Sequence, residues 1–365
     1  MNLSLITKVY HRTQSILELL SEKQQVKIAS LGRAFFMKKF AGHKVKMQFV
    51  PDVKYSRKLW GIEFRSPIMN SAGMFKNGEG YDVVAAMGAG AYIGGTSTFN
   101  PRKGNEKEGI KLPFITLPNS NLAVNWLGLP NLGDEQLSKK IITDNKIVGC
   151  PIGWSVMRSP DFPEDEGMRR LVTSLFLYQD NPQIDFIEVN ESCPNVKNGG
   201  GSIVPRLTVI AEEFLQKRSR HLPVVVKLSN DVTPEIIEDL LPKIIKLGFD
   251  GINLGNTSTN YQKYRSNIKG NDRVLFEYFT RCFGGGISGG VLKENSLHLC
   301  IIAANVVAKM HLEREFHIIR SGGVENMSDI IESEACGCSL TQWYTGFFNA
   351  YDKFGKKTYF SLFKS

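Results

Sequence analysis

After residue 60 the chain is punctuated by eight short runs rich in β-branched and other apolar residues, at 68–72, 91–95, 147–154, 184–190, 223–228, 250–255, 316–321 and 339–344. Helical patterns fall between them, most clearly at 166–178, 207–218, 234–247 (where Pro234 suits a first helical turn) and 326–334. Such alternation leaves two architectures, a closed barrel and an open doubly wound sheet. The ends of the runs separate them. Ser71-Ala72-Gly73, Gly94-Gly95-Thr96, Asn190 to Asn195, Lys227, Gly255-Asn256-Thr257, Ser321-Gly322-Gly323 and Tyr344-Thr345-Gly346 are all glycine-rich or polar. In a barrel every strand end converges on one site, whereas in an open sheet only those near the switch point do. The sequence therefore predicts an α/β chain forming a (β/α)8 TIM barrel with a small N-terminal helical extension.

The formal charge is +9 and the pI about 9.1, which on their face suggest a nucleic-acid or membrane partner. Twelve Lys and Arg stand against three Asp and Glu in residues 1–60, and the other 305 residues carry 33 of each sign. A basic groove across the main body, and with it a nucleic-acid partner, is not expected. Residues 14–40 read as two short amphipathic helices, one with Ile16, Leu17, Leu19 and Leu20 on its apolar face and the next with Ile28, Leu31, Phe35 and Phe36. They either cap the main domain with their charges solvated or rest on anionic lipid. The boundary is placed between an extension at 1–45 and a barrel at 46–365. The six cysteines show no paired CxxC spacing, so no zinc ribbon or disulfide framework is expected, and no run of about 18 apolar residues marks a membrane span.

The loops after the seventh and eighth strands of a barrel often hold a phosphate, and Ser321-Gly322-Gly323 and Tyr344-Thr345-Gly346 take those places. Ser288-Gly289, in the stretch from Gly284 to Gly290, adds further backbone amides. Asn125, Asn190, Asn195 and Asn256 sit beside strand ends or turns, and their amides suit a planar, amide-rich heterocycle, although a lone Asn more often serves a turn. Cys193 lies among these asparagines. A thiol of ordinary pKa, about 8.5, can act as base or nucleophile, against the plainer reading of a small buried hydrophobe that is taken for Cys150, Cys282 and Cys300. No histidine falls in a strand-end loop.

The motif Asn190-Glu191-Ser192-Cys193-Pro194-Asn195, together with the stretch from Asn125 to Asn131, Val225-Val226-Lys227 and Gly285 to Gly289, resembles the dihydroorotate dehydrogenases. These are FMN-dependent barrels that oxidise dihydroorotate to orotate in pyrimidine synthesis. The resemblance runs from about residue 61 to 345. It implies that Ala72, Gly73, Thr96, Asn125, Asn190, Lys227, Ser288, Gly289, Gly322, Gly323, Tyr344 and Thr345 hold FMN. By the same likeness Lys76, Asn125, Asn190, Asn195, Asn256 and Thr257 bind the orotate ring and carboxylate. Cys193 would remove the C5 proton while hydride passes from C6 to the flavin, and 198–201 would hinge a lid. The extension and Lys76 match the membrane-associated class 2 members, which implies a quinone acceptor and a peripheral place on the cytoplasmic side of a membrane, the cytoplasm being the alternative. Cys193 and Gly128 to Asn131 match the soluble class 1 members instead. Thr116 stands where class 2 members place an arginine at the quinone entrance, and Pro151 where they place an asparagine beneath the flavin. Fumarate as acceptor, or another dihydropyrimidine as substrate, are the alternatives; a non-catalytic barrel would leave Cys193 among its asparagines unexplained.

Overall fold

The computed structural model describes Leu17, residues 19–43, 47–191 and 203–364. The second of the two expected helices is present as α1 (Glu22–Ala41). Ser21 caps it, with a reciprocal bond from Ser21 to the Gln24 side chain, so the helix starts at that serine. The first expected helix lies mostly outside the described residues. A hairpin follows, β1 (Arg57–Leu59) and β2 (Ile62–Phe64). Eight parallel strands then form the barrel: β3 (Ile68–Asn70), β4 (Tyr92–Ser97), β9 (Ile152–Val156), β10 (Phe186–Asn190), β11 (Val224–Leu228), β12 (Gly251–Leu254), β14 (His317–Ser321) and β15 (Cys338–Trp343). They lie in the order β3-β15-β14-β12-β11-β10-β9-β4. A parallel bridge between Met69 and Ala91 closes the ring, and the Asn70 side chain donates to the Ile93 carbonyl (2.7 Å) and accepts from its N–H (3.2 Å).

All eight expected strands are present. The run at 147–154 is displaced to Ile152–Val156, because Cys150 N–H turns back to the Ile147 carbonyl and Pro151 has no N–H to give a ladder. Between β4 and β9 come a small hairpin, β5 (Glu106–Lys107) and β6 (Ile110–Lys111), and the antiparallel pair β7 (Phe114–Leu117) and β8 (Leu122–Asn125), which β13 (Gly286–Gly289) extends. Sequence alternation did not anticipate this three-stranded sheet.

Side chains alternate across each barrel strand. Ile187, Val189, Val224 and Val226 pack outward in the layer beneath the helices, while Phe186, Val225, Ile319, Leu340, Met69 and Ile93 fill the N-terminal half of the barrel with Leu59, Trp60 and Phe64 of the hairpin. The C-terminal half of the same inward face is polar, and that change positions the site. Among the described residues one helix, Gly290–Lys309, is long and apolar enough to cross a membrane, and it packs on β14 as a barrel helix. Helix α1 packs against β7, where Ser30 Oγ accepts from Phe114 N–H (3.0 Å). It buries Val26, Ala29, Phe36 and Phe40, so the expected apolar face is split: Phe36 points in, whereas Ile28, Leu31 (63% exposed) and Phe35 point out.

Candidate active site

A pocket opens at the C-terminal end of the barrel, between the strand ends and the β7-β8-β13 sheet. Its lining includes every sequence-predicted site residue that is described: Ala72, Gly73, Lys76, Thr96, Asn125, Asn190, Lys227, Asn256, Thr257, Ser288, Gly289, Gly322, Gly323, Tyr344 and Thr345. Cys193, Asn195 and the expected hinge at 198–201 lie outside the described residues.

One end of the pocket is built from backbone. Gly322 and Gly323 have φ of +98° and +77°, values open to glycine and strained for other residues. Ser296 Oγ donates to the Gly322 carbonyl at 2.6 Å, so the trans peptide directs the Gly323 N–H to the opposite side. Beside it begins the ten-residue helix Thr345–Phe354, whose first turn has no side-chain cap. Uncapped N–H groups, the helix dipole and two glycines make an anion cradle. The hydroxyls of Ser288 and Thr345 meet there at 3.0 Å.

The other end is amide-rich. Asn125 ends β8, its main chain paired with Phe114 on one side and Gly286 on the other. Asn190 ends β10, and its Nδ2 donates to Thr96 Oγ1 at 3.0 Å. The Thr257 hydroxyl is buried without a protein partner, as expected of a group kept for a ligand. Gly286 lets it come this close, since a Cβ there would stand 2.1 Å from Thr257 Oγ1.

Beneath the pocket lies a network that strand-end reading missed. Glu188, 1% exposed, accepts from Ser155 Oγ (3.1 Å), Asn253 Nδ2 (2.7 Å) and Gln342 Nε2 (2.8 Å), and it pairs with Lys227 Nζ at 3.4 Å. A carboxylate inside the apolar run 184–190 is the signal that could have revealed it. Pro151 does not lie beneath the pocket as expected: it precedes β9 at the level of Tyr92, and it is Ser155 of that strand that lies 2.9 Å from Thr96 Oγ1 of the pocket lining. Past β10, the Glu191 side chain, 5% exposed, is fastened to buried Arg206 (2.7 and 2.9 Å), which joins the end of β10 to the helix Ile203–Ile210. Burial raises the Glu191 carboxyl above its ordinary value, against the opposing pull of Arg206.

The sequence profile described as Dihydroorotate dehydrogenase matches residues 55–357. The chain belongs to the dihydroorotate dehydrogenase family. Its relatives include the dihydroorotate dehydrogenase (quinone) of Pseudomonas syringae pv. tomato, 27% identical over 300 residues and 79% of each chain. That of Kineococcus radiotolerans is 28% identical over 320 residues, 84% of this chain and 81% of its own. Among solved structures, DHODH from Eimeria tenella in complex with ferulenol superposes with a TM-score of 0.71 at 20% identity, covering 92% of this chain and 89% of that one. The ligand-free form gives 0.70 with 92% of both, and these likenesses speak to the fold. Dihydroorotate dehydrogenases are flavin enzymes, and the cradle and amide end described above fit a ligand with a phosphate at one end and a flat polar ring at the other.

Proposed function

We propose that the chain oxidises dihydroorotate to orotate in pyrimidine biosynthesis, using FMN held in the barrel pocket and passing the electrons to a membrane quinone. The observation that carries this reading is the meeting, in one pocket, of a glycine-and-helix phosphate cradle, the cation Lys227 and the amides of Asn125, Asn190 and Asn256. A single cradle suits one phosphate monoester, which favours FMN over a dinucleotide. Gly322, Gly323, Ser288, Gly289, Tyr344 and Thr345 would take the phosphate end, and Ala72, Gly73, Thr96 and Lys227 the ring end. When bound, the flavin supplies the two-electron acceptor for the substrate's C–H bond.

The chain's own residues do the rest. Asn125, Asn190, Asn195, Asn256 and Thr257 orient the substrate ring, and their amide and hydroxyl groups keep the same hydrogen-bonding character across the working pH range. Lys76 supplies charge for the substrate carboxylate. Cys193 takes the C5 proton as thiolate, and the ion pair of Glu191 and Arg206 joins the end of β10 to the helix Ile203–Ile210.

Quinone use is supported by the placement of α1 and by the names of the relatives. Arg33 of α1 donates from Nε to the Tyr344 hydroxyl (2.9 Å) and lies over the Phe114 ring (5.6 Å), so this helix brings a cation to the pocket wall. The outward stripe of Ile28, Leu31 and Phe35, flanked by exposed Lys27, Lys38 and Lys39, suits docking of the 1–45 extension on the anionic cytoplasmic face of a membrane. A second reading keeps substrate and flavin but uses fumarate, favoured by Cys193 and by Thr116 where an arginine is expected. Deleting residues 1–41 separates them. On the quinone reading, turnover with a short-chain quinone in vesicles is lost while anaerobic flavin reduction by dihydroorotate persists; full quinone turnover after deletion overturns it.

A further inference from the structure

We propose that Glu188 is a positioning residue that sets the redox poise of the bound flavin through Lys227, an inference resting on the flavin reading above. Glu188 does not line the pocket; it sits one side chain behind Lys227, which does. A carboxylate this far from water is costly unless its lone pairs are satisfied, and here Ser155, Asn253, Gln342 and Lys227 all point at it. The orientation of Gln342 follows. A carboxylate only accepts and an ammonium only donates, so the Gln342 NH2 must face Glu188 and its carbonyl must face Lys227 Nζ (3.0 Å). Ser321 Oγ donates to the same carbonyl at 3.0 Å. Glu188 thus holds Lys227 twice, directly and through Gln342.

The electrostatic consequence has a definite sign. Lys227 favours the electron-rich reduced flavin, and the carboxylate behind it offsets part of that field. The pair leaves the flavin reducible by substrate yet still able to give its electrons up. The same carboxylate reaches the substrate end through Ser155, Thr96 and Asn190.

The test is dye-equilibrated redox titration of the FMN-loaded protein. Glu188→Gln removes the charge and keeps the size, and its equilibrium constant for two-electron reduction is expected to rise at least about tenfold, an upward shift of about 30 mV. Glu188→Asp keeps the charge but draws it back by one methylene, and is expected to shift the same way by about threefold. Should the amide variant fail to fold, because its NH2 opposes those of Asn253 and Gln342, the Asp variant carries the test alone. A potential that is unchanged or lowered in the folded variants overturns the inference. Failure of the parent protein to bind FMN overturns the functional reading instead.

Discussion

Substitution of Gly323 by alanine tests the phosphate cradle directly, and its cost can be worked from the backbone. Gly323 has φ +77°, where an L side chain is disfavoured by about 1–2 kcal/mol. A Cβ there would lie 2.4 Å from both the N and Cα of Lys293, atoms that cannot swing away, and such overpacking costs about 1–3 kcal/mol. The total is roughly 2–5 kcal/mol, relieved only by moving the loop. Losing one backbone N–H to a phosphate oxygen costs about 1.5–3 kcal/mol, so FMN should bind about 10- to 100-fold more weakly. Two controls sharpen the result. Gly322→Ala shares the positive φ (+98°), but its Cβ meets nothing closer than Asn230 Nδ2 at 3.2 Å, so it should weaken FMN less. Gly270→Ala, at φ +49° with nothing within 4 Å and away from the pocket, should lower thermal stability without touching FMN affinity. Fluorimetric titration of the apoprotein with FMN, beside thermal melts, gives both quantities. FMN affinity of Gly323→Ala within twofold of the parent would refute the cradle.

Cys193→Ala should leave orotate binding intact and slow anaerobic flavin reduction by about 10²-fold or more, and in the parent that rate should rise with pH towards the thiol pKa, as stopped-flow bleaching would show. Leu31→Glu with Phe35→Glu, both on the outward face of α1, should abolish sedimentation with anionic vesicles while flavin reduction is unchanged. Breaking the buried pair with Arg206→Ala should cost about 3–5 kcal/mol of stability, read by denaturant titration. Burial lowers the His317 imidazole below 6.5. The unfolded chain therefore binds that proton first as pH falls, so the stabilisation present above pH 6.5 is lost on acidification. His317→Gln should melt with a shallower dependence between pH 7.5 and 5.5 than the parent.

The barrel was legible because buried parallel strands write themselves as short apolar runs at regular intervals, and their C-terminal ends as glycine and amide. Chemistry at the strand ends was legible for the same reason: Asn190, Lys227, Gly322 and Gly323 interrupt otherwise apolar text. What lay deeper was not. Glu188 and Gln342 sit inside strands, where period-2 reading looks for apolar residues, and only the closed ring brings them to Lys227. In the β7-β8-β13 sheet, β7 and β8 form a local hairpin of two four-residue strands, outside the strand–helix alternation, and β13 escaped because it joins β8 from about 160 residues further along, which no local pattern records. The face of α1 was misassigned because two adjacent stripes are both apolar, and contact with β7 decides which is buried.

The central claim is tested most directly by mixing the purified, FMN-loaded chain with dihydroorotate under anaerobic conditions and then adding a short-chain quinone. The account predicts bleaching of the flavin absorbance with formation of orotate, followed by recovery of the oxidised spectrum on quinone addition. A flavin that stays oxidised in excess dihydroorotate would contradict it.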